Sequence, residues 1–138
     1  MYQIIYLSKA SDNLNQQDIE NILETAREFN SSKQISGCLI YHNHYFLQML
    51  EGENDDISAL YTKIKKDSRH TDIVLLYEST KYDRSFGEWK MGFVDLNSED
   101  DIEQKMFVDN LLTFAEITPK FTKSMDVFWD EVKKLLIR

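Results

Sequence analysis

Residues 36–50 read Ser-Gly-Cys-Leu-Ile-Tyr-His-Asn-His-Tyr-Phe-Leu-Gln-Met-Leu, two β-prone runs, Ser36 to His42 and Tyr45 to Leu50, parted by His42, Asn43 and His44. A short polar break between two such runs predicts a hairpin. On its N-terminal side, Ile19, Ile22, Leu23, Ala26 and Phe29 recur at the spacing that lines one face of a helix, with Asn15 as its N-cap. On its C-terminal side, Ile57, Leu60, Tyr61 and Ile64 repeat the pattern after the turn-rich stretch Glu51 to Asp56. Strand-like runs at Tyr2 to Ser8 and Asp72 to Glu78 enclose these elements, and Trp89 to Leu96 adds a further strand. The order β-α-β-β-α-β plus one strand is an α+β ferredoxin-like sandwich, with both helices on one face of the sheet.

The other face needs cover, and the remaining residues carry apolar stripes that can supply it. Phe107, Leu111, Phe114 and Ala115 form one; Phe121, Met125, Phe128, Trp129, Val132, Leu135 and Leu136 form another. Pro119, the one proline, separates them into two helices. The expectation is one folded unit, residues 1–96 as the sandwich and 97–138 as a helical cap upon it. Val127, Trp129, Leu136 and Ile137 lie off the main stripe of the last helix, surplus apolar surface that marks either a contact site or the edge of a broad core face.

With 24 acidic against 16 basic residues, the net charge of −8 repels phosphate backbones and anionic lipid, so nucleic acid and membrane are poor direct partners. The start MYQIIYLSKAS lacks the pattern of a secretory signal, and no apolar run nears the ~20 residues of a membrane span. With Cys38 as the only cysteine there is no internal disulfide, and a reducing cytoplasm is the expected compartment.

Motifs for catalysis are missing: there is no G-x-S-x-G, P-loop, H-E-x-x-H or dinucleotide fingerprint. His42 and His44 alternate across the hairpin break, but a metal site there wants a third ligand, so they read as surface turn histidines. Asp55-Asp56 and Glu99-Asp100-Asp101 stand at helix starts, where carboxylates favour the positive end of the dipole. Cys38, with no basic neighbour in sequence, reads as a buried inert thiol.

Gln48 is the polar residue out of place. By alternation it shares a strand face with Phe46 and Leu50, and a buried amide there must find partners, since leaving it unpaired costs about 1–3 kcal/mol. The alternative is an outward-facing glutamine on an exposed strand. Tyr6, near the end of the first strand, is a second polar group in an apolar run.

Taken together, Tyr6-x-Ser8, Asn30, Ser36-Gly37, Phe46-x-Gln48-x-Leu50-Glu51-Gly52, Asp67-x-Arg69-His70 and Trp89-x-Met91 resemble the BLUF family, sensors of blue light using FAD. The resemblance runs from about residue 2 to residue 96, and the C-terminal helices resemble those of short stand-alone members more loosely. It implies a flavin held non-covalently between the two helices, FAD by default with FMN or riboflavin as alternatives. Tyr6 is similar to the family's photoactive tyrosine and Gln48 to its switching glutamine. Asn30, Arg69 and His70 are similar to polar groups around the ring, Ser8 to a minor hydrogen-bonding neighbour, and Leu39, Phe46 and Ile64 to apolar positions that pack it. Trp89 and Met91 resemble the relay to the C-terminal helices. Phe29 departs from the pattern, standing where better-known members carry a polar Asn or His.

The function so implied is a blue-light photoreceptor, not an enzyme, that signals by rearranging hydrogen bonds around Tyr6 and Gln48. With no catalytic domain after residue 96, its output is expected to be contact with a regulatory partner protein or a change in its own assembly state. Two rivals share the fold: a light-insensitive interaction module without flavin, and an acyl-phosphate hydrolase, for which the phosphate-binding loop is missing.

Overall fold

The computed structural model describes residues 1–87 and 90–95. Seven elements follow one another: β1 (Tyr2–Ala10), α1 (Gln16–Lys33), β2 (Ser36–His42), β3 (Tyr45–Gly52), α2 (Asn54–Lys65), β4 (His70–Thr80) and β5 (Gly92–Asp95). The sheet order is β4-β1-β3-β2-β5, antiparallel except for the parallel pairing of β5 with β2. This is the expected ferredoxin-like plan with a fifth strand added at the β2 edge. The helices proposed for 97–138, Trp89 and the 1–96/97–138 division lie outside the described residues.

Local chemistry accounts for the boundaries. Asn15 caps α1 in a reciprocal box with Asp18: the Asn15 side chain accepts from the Asp18 amide at 2.9 Å, and the Asp18 carboxylate accepts from the Asn15 amide at 3.0 Å. Asn43 and His44 both have positive φ, 51° and 67°, as a two-residue hairpin turn of the primed type requires. That turn corrects the reading of the two histidines. His44 is exposed in the left-handed turn, whereas His42 is buried at the end of β2, so only His44 is a surface turn histidine. Among the described residues no cluster of metal ligands forms.

Gly37 is required by a close approach: a Cβ there would stand 2.0 Å from the Met49 carbonyl oxygen on β3. On the helix-facing side Ile4, Tyr6, Leu39, Phe46 and Leu50 pack with Ile19 and Leu23 of α1 and Ile57 of α2. The alternating residues Ile5, Leu7, Cys38, Ile40, Leu47 and Met49 are buried too. Burial pushes the Cys38 thiol well above its ordinary pKa, which keeps it a neutral, inert group.

The fifth strand begins later than Trp89, and the reason is local. The carbonyls of Lys90 and Met91 are taken by α1, which donates to them from Asn30 Nδ2 at 2.7 Å and Arg27 Nε at 3.1 Å. They are withdrawn from the ladder, and pairing with β2 starts at Gly92 opposite Cys38.

The chain that leads to this segment is tied down by one carboxylate. Glu51, fully buried, accepts from Ser36 Oγ at 3.0 Å, Lys81 Nζ at 2.8 Å and the amides of Ser85 and Phe86 at 2.9 and 2.6 Å. Arg84 adds bonds to Ser36 Oγ at 2.8 Å and the Gln34 carbonyl at 2.6 Å. Removing a buried partner strands the others without compensation, so Glu51→Ala is expected to lose about 3–5 kcal/mol of stability. Urea unfolding measures this, and a loss under ~1 kcal/mol, the range of exposed pairs, would mean that the network is dispensable.

Candidate functional site

Strand register alone assembles the centre of the site. Tyr6 on β1 pairs with Gln48 on β3, Gln48 with Leu39 on β2, and Leu39 with Phe93 on β5, so one row crosses four strands. Alternation turns this row's side chains to one face, and α1 and α2 stand over that face without closing on it. Between helices and sheet lies a cavity of about 240 Å³. Its walls are apolar: Ile22, Ala26 and Phe29 from α1, Leu60 and Ile64 from α2, Leu39, Phe46 and Leu50 from the sheet. The polar groups converge in a few places, as they do in sites that orient a flat, mostly apolar ligand.

Gln48 is 6% exposed, which decides between the two orientations open in the sequence: the amide faces inward. The Tyr6 hydroxyl donates to Gln48 Oε1, and Gln48 Nε2 donates to the Met91 sulfur at 3.3 Å. Thioether sulfur is a weak acceptor, so this donor is free to exchange it for a better one. Tyr6 is buried between Tyr61 and His70, with ring centroids at 5.7 and 6.3 Å. Desolvation, reinforced by the nearby Tyr61 and Asp67, pushes its pKa far above that of a free phenol. Tyr6 therefore holds its proton, and its one donor bond runs to Gln48.

Asn30 is fully buried near the end of α1 and lines the same cavity. Its Nδ2 is spent on the Lys90 carbonyl, while Oδ1 has no partner among the described residues. A buried acceptor left open costs about 1–3 kcal/mol, which a ligand N–H would recover.

At the far side, Arg69 is committed to Asp67, with Nη2 2.6 Å from Oδ2 and Nε bridging both carboxylate oxygens. That pairing holds the Asp67 carboxyl below its usual range. His70 donates from Nε2 to the Ile64 carbonyl at 2.6 Å, because a carbonyl can only accept, and its Nδ1 stands 2.8 Å from Ser8 Oγ.

The structure thus brings Tyr6, Asn30, Gln48, Arg69, His70, Leu39, Phe46, Ile64 and Met91 to one cavity. Ser8 is not among the lining residues; fully buried behind His70, it fixes that ring's orientation. Trp89 lies outside the described residues. The sequence reading missed Thr25, Lys63 and Asp67 as lining residues and Arg27 as a clamp on Met91. The signal for Lys63 was its place three residues after Leu60 and beside Ile64 on α2, whereas Asp67 lies past the end of that helix, where no helical spacing points to it.

The cavity suits an imide edge, in which an N–H is flanked by carbonyls. Asn30 Oδ1 offers an open acceptor for the N–H, Gln48 Nε2 a loosely held donor for a carbonyl, and the apolar walls accept a flat ring between them. The isoalloxazine ring of a flavin carries such an edge.

Comparison with known proteins agrees. The chain matches the family described as sensors of blue-light using FAD over residues 1–92. It is 36% identical over 89 residues to the photoactivated adenylate cyclase subunit beta of Euglena longa, an overlap of 64% of this chain and 10% of that protein. It is 31% identical over 106 residues to the blue light- and temperature-regulated antirepressor BluF of Escherichia coli (strain K12), covering 75% of this chain and 26% of that one. The chain therefore spans only about a tenth to a quarter of the length of these curated relatives. Among solved structures, BlsA in its photo-activated state superposes with a TM-score of 0.77 at 29% identity, covering 94% of this chain and 92% of that one. A bacterial light-regulated adenylyl cyclase gives 0.75 at 33% identity, over 83% of this chain and 34% of that one. The row Tyr6-Gln48-Leu39, the open Asn30 acceptor and the match over residues 1–92 meet in one conclusion: this chain belongs to the BLUF family, the flavin-binding sensors of blue light.

Proposed function

We propose that the cavity holds an oxidised flavin non-covalently, FAD by the family's description, and that light is registered by the amide of Gln48 changing its hydrogen-bond partners. The observation that carries this reading is the chain Tyr6–Gln48–Met91 within the cavity that Asn30 leaves with an open acceptor. Asn30 and Gln48 would hold the ring's imide edge, Leu39, Phe46 and Ile64 its faces, and Arg69 and His70 would stand near its other polar edge. Bound flavin supplies blue-light absorption and, once excited, the capacity to accept an electron.

The residues do the rest. Tyr6 is the buried phenol that gives an electron and, through Gln48 Oε1, a proton, and it recovers both. Gln48 has distinct donor and acceptor ends, so turning its amide over makes Tyr6 an acceptor and withdraws the Nε2–H from the Met91 sulfur. The two arrangements pair different ends of the amide with Tyr6, which gives two states without a new covalent bond. Met91 then feels the change directly, and it stands immediately before β5.

Output by binding follows from this design: a regulatory partner protein or a second copy of the chain reads the position of the segment around Met91. Trp89 and the helices proposed for 97–138, which the sequence reading makes the rest of the relay, lie outside the described residues. We propose that the chain works as a sensor and catalyses no reaction of its own. No helix among the described residues is long and apolar enough to cross a membrane, and a cytoplasmic location fits the composition.

Purified protein is expected to be yellow, and blue light is expected to move its flavin band reversibly to longer wavelength. Absorption spectra in darkness and under illumination check this. A colourless protein would favour the interaction module, and a band that only bleaches would overturn the switching mechanism.

A further inference from the structure

Lys63, in the last turn of α2, lines the cavity with its ammonium 4.5 Å from the centre of the Phe29 ring. Among the described residues it has no carboxylate partner. The other cation of the lining, Arg69, is neutralised by Asp67 at 2.6 Å. Lys65 sits similarly over Tyr61, at 4.8 Å, but neither residue lines the cavity. Among the described residues the lining therefore holds one lysine or arginine, Lys63, without a carboxylate partner, in a chain whose net charge is −8.

Burial places that charge at the rim. Asn30 and Gln48 are buried and form the floor, whereas Lys63 is exposed. A cation held by a neutral ring keeps its full charge for an incoming anion, where a carboxylate partner would cancel it. The ring also restricts a long, flexible side chain, so less freedom is lost when an anion is bound. Phe29, the position that departs from the polar pattern of better-known members, thus acquires a role: it seats Lys63.

We propose that the cavity selects flavins bearing a phosphorylated side chain, and that Lys63, seated on Phe29, is the residue that recognises the phosphate. This deepens the flavin reading and rests on it. With the imide edge at Asn30 and Gln48 on the floor, the side chain borne by the central ring's nitrogen is free to extend to the rim, where Lys63 offers N–H donors to phosphate oxygens.

The test is a competition on the full chain. Protein is equilibrated with an excess of equimolar riboflavin, FMN and FAD and freed of unbound flavin, and the retained flavins are released by heat and quantified. FMN and FAD are each expected to exceed riboflavin by roughly fivefold, the size of an exposed charge contact, and high salt should shrink the ratio. Lys63→Gln should bring the ratio close to one, and Phe29→Leu should lower it. Equal retention of the three flavins by the unaltered chain, or an unchanged ratio in Lys63→Gln, would overturn the proposal while leaving flavin binding intact. An unchanged ratio in Phe29→Leu would overturn the seating by Phe29. Retention of no flavin at all would instead overturn the flavin reading, and this proposal with it.

Discussion

Tyr6→Phe is expected to keep its flavin and to lose the light-induced red shift completely. The substitution removes one oxygen and leaves a ring of the same shape, still packed against Tyr61 and His70. What disappears is the donor to Gln48 Oε1. The cost to folding is about 1–3 kcal/mol, that of leaving the buried Gln48 Oε1 without its donor, while Gln48 keeps its Nε2 bond to Met91 at 3.3 Å and the vacated space is that of a single hydroxyl. The cost to switching is total, because the residue that supplies the electron and proton is gone and the amide loses the partner that distinguishes its two orientations. Gln48→Leu should behave alike for the complementary reason: a side chain of similar size fills the site and has no donor or acceptor to exchange. Light-minus-dark difference spectra read both variants. A normal, reversible shift in either would show that the photoactive pair lies elsewhere, with Tyr61, whose ring centroid is 5.7 Å from that of Tyr6, as the next phenol to test.

The centre of the site could be read from the sequence because strand pairing follows from short-range pattern. Gln48 lies between Phe46 and Leu50 on an alternating run, so it shares their side of the strand, and a one-residue slip would have turned all three to the other side. The hairpin at Asn43-His44 and the cap at Asn15 were equally local. What the sequence hid were contacts set by tertiary approach. Arg27 reads as a solvent-facing helix residue until the Met91 carbonyl is seen 3.1 Å from its Nε. Glu51 reads as the polar end of a strand, yet the returning chain at Lys81, Ser85 and Phe86 makes it the most enclosed carboxylate among the described residues. His42 was placed in the turn by its neighbours, whereas a two-residue turn at Asn43 and His44 leaves it in the strand and buried. Ser8 was grouped with the ligand contacts by resemblance, and nothing in the sequence pointed to the contact of its hydroxyl with His70 Nδ1 at 2.8 Å. The register of a strand is written in its own residues; the partner of a helix side chain is written in another part of the chain.

Asn30→Leu is expected to reduce flavin affinity by roughly tenfold to a hundredfold, within the range for loss of a hydrogen bond from a buried polar group. Two functions of Asn30 have to be separated, since Nδ2 holds the Lys90 carbonyl at 2.7 Å while Oδ1 stands open to the cavity. Loss of the first would loosen the segment before β5; loss of the second would remove an acceptor for the ligand N–H. Arg27→Gln supplies the contrast, because Arg27 grips the neighbouring Met91 carbonyl from the same helix without lining the cavity. If the open oxygen is the ligand's acceptor, Asn30→Leu loses affinity while Arg27→Gln retains flavin nearly as well as the unaltered chain. Both are measured by the quenching of flavin fluorescence on binding. Equal losses in the two variants would mean that α1 affects the flavin only through the segment it clamps, and the unpaired oxygen of Asn30 would then have no part in recognition.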